Sequence, residues 1–271
     1  MASPSEVRDL LAPTTLPVDL VDQLLAGASM TWLLSEPAEV LAGDLALCHP
    51  TLFPAEIRAS VHPTTERASW RLTVVAKDRP GLLAATAGVL AFHGLSLTSA
   101  SAATWPELEL ALQCVIAIDP DGRERFETDW DEMGKSLRAA LLGTHPVEPD
   151  FRPAPPVSVK ATPGDQGRHV VSIEAPDQIG LLWAITHWFE SRQCNIEATH
   201  METDGKTAKG TLLVAGEIDC SPLAAAIGGV PALPWRLPNA ALRLGVQGAV
   251  AAAGVAAGLA VRALRGKHRG S

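Results

Sequence analysis

The sequence predicts an α+β fold in which two ferredoxin-like βαββαβ units follow one another along the chain. One observation is an internal repeat with an offset of 99 residues. Four stretches align without gaps: Asp78 with Asp177, Gly81 with Gly180, Leu82-Leu83 with Leu181-Leu182, and Ser96 with Asn195. The other is the same succession of strand-like and helix-like hydrophobic patterns in both copies. At about 100 to 200 residues per domain, 271 residues also suffice for two units with their own cores.

Residues 1–66 are predicted to form a helical segment and a linker ahead of the repeat. Apolar residues recur at helical spacing from residue 17 to residue 48, first around Val21 and then around Leu41. Because Glu36-Pro37 divides this stretch, two short helices are expected. Three prolines between residues 49 and 65 predict an irregular connector.

The first unit is placed at residues 67–150. The run WRLTVVA, from Trp70, predicts a buried strand, and DRPG followed by LLAATAGVLAFHG predicts a turn and a helix. LSLTSASA and LELALQCVIAI predict two further strands. Apolar residues from Phe126 to Leu141, at steps of four, three, four and four, predict an amphipathic second helix.

The second unit, with its linker, is placed at residues 151–238. After a Pro-rich stretch that contains the strand-like run VSVKA, the chain repeats the order with HVVSIEA, LLWAITHWFES, CNIEATHME and TAKGTLLVAG. A fourth strand is expected to complete each ferredoxin-like sheet. In the second unit the candidate for it is PWRLP, near residue 236.

Residues 239–271 are predicted to be an Ala/Gly-rich helix and a basic tail. The stretch 244–261, between Arg243 and Arg262, carries no charge and is nearly long enough to cross a bilayer, which takes roughly 20 residues. Its alanines and glycines make it only weakly hydrophobic. A helix packed on the sheets, a membrane anchor and a disordered tail are the three interpretations.

Charge and cysteine usage limit the functional classes. With 22 Lys and Arg against 30 Asp and Glu, the net charge is −8, which argues against nucleic-acid binding. Four well-separated cysteines give no CxxC pair, so reduced thiols in a cytoplasmic protein are expected. A cleaved signal peptide is not expected, because its apolar core would have to include the charged residues Glu6, Arg8 and Asp9.

The repeated Asp-x-x-Gly turn is the candidate binding feature. A strand that delivers Asp, followed by Gly at a helix start, presents free backbone N–H groups and a positive dipole end, which suit a carboxylate. The aspartate supplies a counter-charge for an ammonium group. The alternative is that Asp78 and Asp177 only cap helices and that the glycines permit close packing. For Asn195 there are also two interpretations: its amide hydrogen-bonds to polar atoms of a ligand, or it only makes a hydrogen bond at the end of a loop.

No catalytic arrangement is found, so a non-enzymatic protein without cofactor or metal is expected. There is no Gly-x-Ser-x-Gly elbow and no HExxH pair. The Asp-x-Asp pairs Asp119/Asp121 and Asp129/Asp131 are interpreted as solvated surface. None of the eight histidines is followed by Asp.

DRPGLLAATAGVLAFHGLSL and DQIGLLWAITHWFESRQCNI resemble the turn and first helix of ACT domains, small βαββαβ modules that bind amino acids. The tandem arrangement, over about residues 68–230, is similar to the C-terminal, glutamine-sensing part of the PII uridylyltransferase/uridylyl-removing enzyme family. This chain lacks the catalytic motifs of that family. Gln178-Ile179 stands where the ACT pattern has Arg-Pro, and Ser96 stands where Asn is usual.

By this resemblance, an amino acid binds between the turn and the start of the second strand, where two ACT modules meet. Carried over by position, the candidate ligand-binding residues are Asp78, Gly81, Leu82, Ser96, Asp177, Gly180, Leu181 and Asn195.

The leading hypothesis is a non-catalytic regulator that binds a free amino acid and signals through self-association or a regulatory protein partner. One alternative is a degenerate or partial uridylyltransferase-like protein. Another is an ACT pair that has lost its ligand and serves as a dimerisation scaffold, with residues 244–261 as its membrane contact.

Overall fold

The computed structural model describes residues 2–229, except residues 29, 35, 55, 145, 146 and 217. The predicted strand near residue 236 and the segment 239–271, including residues 244–261, lie outside the described residues. Among the helices of the described part, none combines the length and the apolar character that a membrane crossing requires.

Eight helices and eight strands are described. The helices are α1 (Pro4–Leu11), α2 (Val18–Gly27), α3 (Met30–Leu33), α4 (Ala38–Ala46), α5 (Leu82–Phe92), α6 (Glu127–Leu141), α7 (Leu181–Glu190) and α8 (Ser221–Gly228). The strands are β1 (Ile57–Pro63), β2 (Ser69–Lys77), β3 (Ser96–Trp105), β4 (Leu110–Ile118), β5 (Ser158–Pro163), β6 (Arg168–Pro176), β7 (Ile196–Asp204) and β8 (Thr207–Ala215). They form one antiparallel sheet in the order β1-β2-β4-β3-β7-β8-β6-β5.

The predicted α+β fold class is confirmed, and each copy contributes four neighbouring strands to the sheet. The chain order differs from the predicted βαββαβ, because the fourth strand of each copy precedes its other three strands along the chain: β1 pairs with β2, and β5 pairs with β6. Strand β1 lies in the stretch from 49 to 65 that was expected to be an irregular connector. It is an edge strand whose residues are only half-buried or exposed. Its hydrophobic pattern is therefore weak, and the prolines around it indicate a loop.

The two copies join through strands β3 and β7, which pair from Ser99 opposite Glu202 to Ala103 opposite Ala198. Each of these strands carries an irregularity at the equivalent place, between Leu97 and Ser99 in one copy and between Ile196 and Ala198 in the other. An extra residue at such a bulge bends the strand near its start.

On one face of the sheet, helix α5 packs against α7 across the junction of the copies. Gly88 allows the close approach, because a Cβ built there would lie 2.8 Å from Cδ1 of Trp183 and 3.3 Å from the Val147 carbonyl oxygen. Both helices bury apolar residues in one shared core, including Leu90 and Phe189. The helix cores of the two copies are therefore continuous.

On the other face of the sheet, α1, α2, α3 and α4 form a second core with strands of the first copy, and α3 also contacts β7 of the second copy. A cross-strand row of Val75, Leu112 and Ala103 contributes to this core. The equivalent row of the second copy is charged: Glu174, Lys209 and Glu202. Charged side chains strongly favour water, and these three residues lie outside the second core. The two helices predicted between residues 17 and 48 are present as α2 and α4.

Candidate functional site

Two clefts lie at the junction of the copies, and each combines the Asp-x-x-Gly turn of one copy with the second strand of the other. The first cleft contains Asp78, Gly81 and Leu82 of the first copy and Asn195 of the second. The second cleft is lined by turn residues of the second copy and strand residues of the first: Asp177, Gly180, Leu181, Leu97, Thr98 and Ser99. The arrangement follows from the β3–β7 pairing, which brings each turn beside the neighbouring copy.

The two turns have the same backbone geometry. Gly81 has φ +84° and Gly180 has φ +87°, in the left-handed region that favours glycine. The backbone N–H of Asp78 donates to the Glu109 carbonyl at 2.9 Å, and that of Asp177 donates to the Lys206 carbonyl at 2.9 Å. No side chain caps the helix that begins after either glycine. Each turn is therefore fixed to the adjacent hairpin while the first turn of its helix keeps N–H groups for an acceptor.

In the first cleft, the side chains of Asp78 and Asn195, which belong to different copies, lie near one another. Burial raises the pKa of Asp78, and a hydrogen bond from the Asn195 amide partly offsets this effect. The backbone N–H of Arg79 also lowers the pKa of Asp78. Asn195 therefore already contacts a candidate turn residue of the other copy.

In the second cleft, burial raises the pKa of Asp177, and the nearby Thr203 side chain and Gln178 backbone N–H partly offset this effect. The side-chain Nε2 of Gln178 is buried and has no hydrogen-bond partner. Gln178 lines the cleft, so a ligand oxygen placed there would satisfy this donor. Ser96 is not among the residues lining this cleft, whose strand wall begins at Leu97.

Gln113, which the sequence analysis did not select, lies at the back of the first cleft. It is 3% exposed, and its side-chain Oε1 has no hydrogen-bond partner. An orphaned buried acceptor destabilises the protein by about 1–3 kcal/mol unless a partner satisfies it. One feature of the sequence could have identified Gln113 as a candidate: it is the polar residue within the otherwise apolar run LALQCVIAI.

Glu190 is a second residue that the sequence analysis missed. It ends helix α7 of the second copy, and its carboxylate reaches the Gly81 turn of the first copy. A Cβ built on Gly81 would overlap the Glu190 Oε1 atom and lie 2.6 Å from its Cδ. The His187 ring and the Glu190 carboxylate are 3.0 Å apart.

Both clefts are narrow in this conformation. They enclose about 390 and 410 Å³ of partly open space, but their interiors have room for only about one or two water molecules. A free amino acid is larger than this. Binding therefore requires the walls, which belong to different copies, to move apart.

Two of the carboxylates considered for metal chemistry, Asp119 and Asp129, make structural contacts. The expectation that Asp119 is solvated is wrong: it is 1% exposed and pairs with Arg125 at 2.6 Å and Arg123 at 3.1 Å. Asp129 accepts a hydrogen bond from the Phe126 N–H at the start of α6. Within the described part of the chain, no group of three or more Asp, Glu, His or Cys residues is arranged to hold a metal ion.

Comparisons with known proteins give short matches to one enzyme. The bifunctional uridylyltransferase/uridylyl-removing enzyme of Bordetella pertussis is 35% identical over 95 residues, which are 35% of this chain and 10% of that enzyme. The Bordetella avium enzyme of the same name is 47% identical over 53 residues, which are 20% of this chain and 6% of that enzyme. The chain therefore spans about a tenth or less of the length of these relatives.

No protein-family model matches the chain. Among solved structures, aspartate kinase from Synechocystis is similar over 59% of this chain and 26% of that one, with 18% identity and a TM-score of 0.36. The resemblance predicted from the two turn motifs is confirmed as a weak homology between this chain and the C-terminal region of the bifunctional uridylyltransferase/uridylyl-removing enzyme.

Proposed function

We propose that this protein is a non-catalytic regulator that binds a free amino acid between its two ACT-like copies. The observation that carries the proposal is the reciprocal placement of the two Asp-x-x-Gly turns, each facing the start of the other copy's second strand. The free N–H groups of the helix suit the ligand carboxylate, and the nearby aspartate suits its ammonium group.

The same placement supplies a means of regulation. Each cleft has walls from both copies and is narrow without ligand. Binding of a ligand in a cleft is therefore coupled to movement of the two copies apart. A ligand shifts such an equilibrium only by its differential affinity for the two states. In this proposal the changed arrangement of the copies is transmitted by self-association or by a regulatory protein partner. The four cysteines are free thiols, which supports a reducing, cytoplasmic setting.

Thermal unfolding of the full chain against each of the twenty common amino acids, glutamine included, tests the proposal. A ligand at 100 times its dissociation constant stabilises the folded state by about 2.7 kcal/mol. For a folded unit of this size that corresponds to a rise in Tm of roughly 5–10 °C. A rise with one or a few amino acids supports a sensor and identifies the signal.

If none of the twenty amino acids raises Tm, the second candidate function is favoured, a dimerisation scaffold that has lost its ligand. The observation that favours this scaffold function is the narrowness of the two clefts. The predicted partial uridylyltransferase-like activity has no observation in the described residues to support it.

Replacing Asp177 with asparagine is expected to weaken amino-acid binding about tenfold or more without lowering Tm at pH 7. The variant loses a charge-assisted hydrogen bond to the ligand ammonium, which is worth about 1.5–3 kcal/mol. In the free protein, burial raises the pKa of Asp177. This carboxyl therefore favours folding below its unfolded pKa, and that contribution is lost as the pH rises through the raised folded pKa.

Calorimetric titration measures the affinity, and thermal unfolding between pH 3 and pH 8 measures the stability. Glu174→Gln, at an exposed position of strand β6, which precedes Asp177, is the matched control and should change neither quantity appreciably. Unchanged affinity in Asp177→Asn would remove Asp177 from the site.

A further inference from the structure

The two clefts differ in what already occupies them, although their turns share one backbone geometry. At the first turn of α5 lies the carboxylate of Glu190, close enough to overlap a Cβ built on Gly81. At the equivalent place in the second cleft, the same construction on Gly180 meets only carbon atoms: Phe151 Cβ at 3.4 Å and Pro149 Cγ at 3.7 Å. With the offset of 99 residues, the counterpart of Glu190 is the buried Ala91, which has no carboxylate to offer.

The first cleft is also rich in hydrogen-bond acceptors. Asp78 and Glu190 contribute carboxylates, and Gln113 contributes a buried Oε1 atom without a partner. The residue of β8 that corresponds to Gln113 is Gly210, whose space is filled by Met201. An orphaned acceptor that is 97% buried in such a cleft indicates a missing donor, such as a ligand ammonium group.

From these observations we propose that the Glu190 carboxylate of the second copy blocks the first cleft to the carboxylate of a ligand. It holds that cleft closed to amino acids, so that the chain binds one amino acid, in the second cleft. This inference rests on the proposed function and deepens it by assigning different roles to the two clefts. Gln113 then remains in the first cleft as an acceptor for the ammonium group of any ligand that displaces Glu190.

The chemistry of the contact explains why Glu190 excludes a ligand. The Glu190 carboxylate lies beside Gly81, in the approach of an incoming carboxylate to the first turn of α5, and two carboxylates brought close together repel each other. Because Glu190 is attached to the second copy, it competes at a high effective concentration. It is 40% exposed, so it has a path into solvent when a ligand or a substitution displaces it.

Counting bound amino acids in the full chain tests the inference. We expect the chain to bind one equivalent of the amino acid that is selected from the panel of twenty, and Glu190→Ala to bind two. Glu190→Gln, which keeps the size of the side chain but loses its charge, should fall between them in affinity at the added site. Asp131→Ala, an exposed acid on α6 outside both clefts, is the matched control and should bind one.

A second substitution separates a binding role from a structural one. Adding Gln113→Leu to Glu190→Ala should weaken the added site about tenfold or more, because the acceptor for the ammonium is lost. The same substitution should not lower Tm, since it also removes an orphaned buried acceptor.

The outcomes distinguish the inference from the proposed function. Equal stoichiometry in the original chain and in Glu190→Ala, or two sites in the original chain, would overturn the inference while binding itself stands. Binding that occurs only in Glu190→Ala would support Glu190 as the competitor and overturn the second cleft as a site. No binding of any of the twenty amino acids by either protein would overturn both.

Discussion

Replacing Asp44 with alanine is expected to lower the free energy of unfolding by about 3–5 kcal/mol. Asp44, on α4, is 3% exposed and binds the Arg71 guanidinium of β2 through both carboxylate oxygens, at 2.9 and 2.5 Å. Thr73 donates to the same carboxylate at 2.8 Å, and Cys114 donates to it at 3.2 Å. The alanine variant leaves the guanidinium buried with a more distant partner, Glu36, at 3.4 Å. Urea unfolding followed by tryptophan fluorescence measures the loss, because Trp32 and Trp105 belong to the same core.

Two further variants show whether the loss comes from an uncompensated charge. Glu36→Ala removes the more exposed partner of Arg71, and we expect it to cost about 1 kcal/mol or less. In the double variant Asp44→Leu/Arg71→Met, both charges are gone and most of the stability should return. If Asp44→Ala cost no more than Glu36→Ala, the buried pair would not be what holds the helical segment on the sheet.

The parts of the fold that follow from local periodicity could be predicted from the sequence. Strand β2, the turn from Asp78 to Gly81 and helix α5 were predicted, as were their counterparts in the second copy. Each of these elements carries its own signal, either a buried apolar run or glycine at a helix start. Strand β1 carries no such signal, because an edge strand buries only part of one face.

The composition of the clefts could be predicted only in part, because it depends on pairing between segments about a hundred residues apart. Asn195 was selected as a ligand contact or a loop-end hydrogen-bonder, and the structure places it in the cleft formed with the turn of the other copy. Ser96 was selected by the same offset, but it stands before the strand residues that line the second cleft. Glu190 comes from the other copy, so its place beside Gly81 depends on the β3–β7 junction, and Gln113 becomes significant only because it lines the cleft that this junction completes.

Replacing Gly180 with valine is expected to abolish binding at the second cleft and to lower the free energy of unfolding by about 1–3 kcal/mol. The stability is lost because Gly180 has φ +87°, where a β-branched residue is strained. The affinity is lost for a second reason. The valine side chain would project beside Phe151 and Pro149, into the approach to the first turn of α7, where the ligand carboxylate is expected.

Gly143→Val separates these two effects. Gly143 follows α6, has φ +69° and would have no atom within 4 Å of an added Cβ. We therefore expect the same strain and the same loss of stability, but unchanged affinity for the amino acid. Calorimetric titration at a temperature well below both midpoints of unfolding measures the affinities. If both variants bound as weakly as each other, strain alone would account for the loss, and the turn at Gly180 would be a structural feature rather than a contact for the ligand.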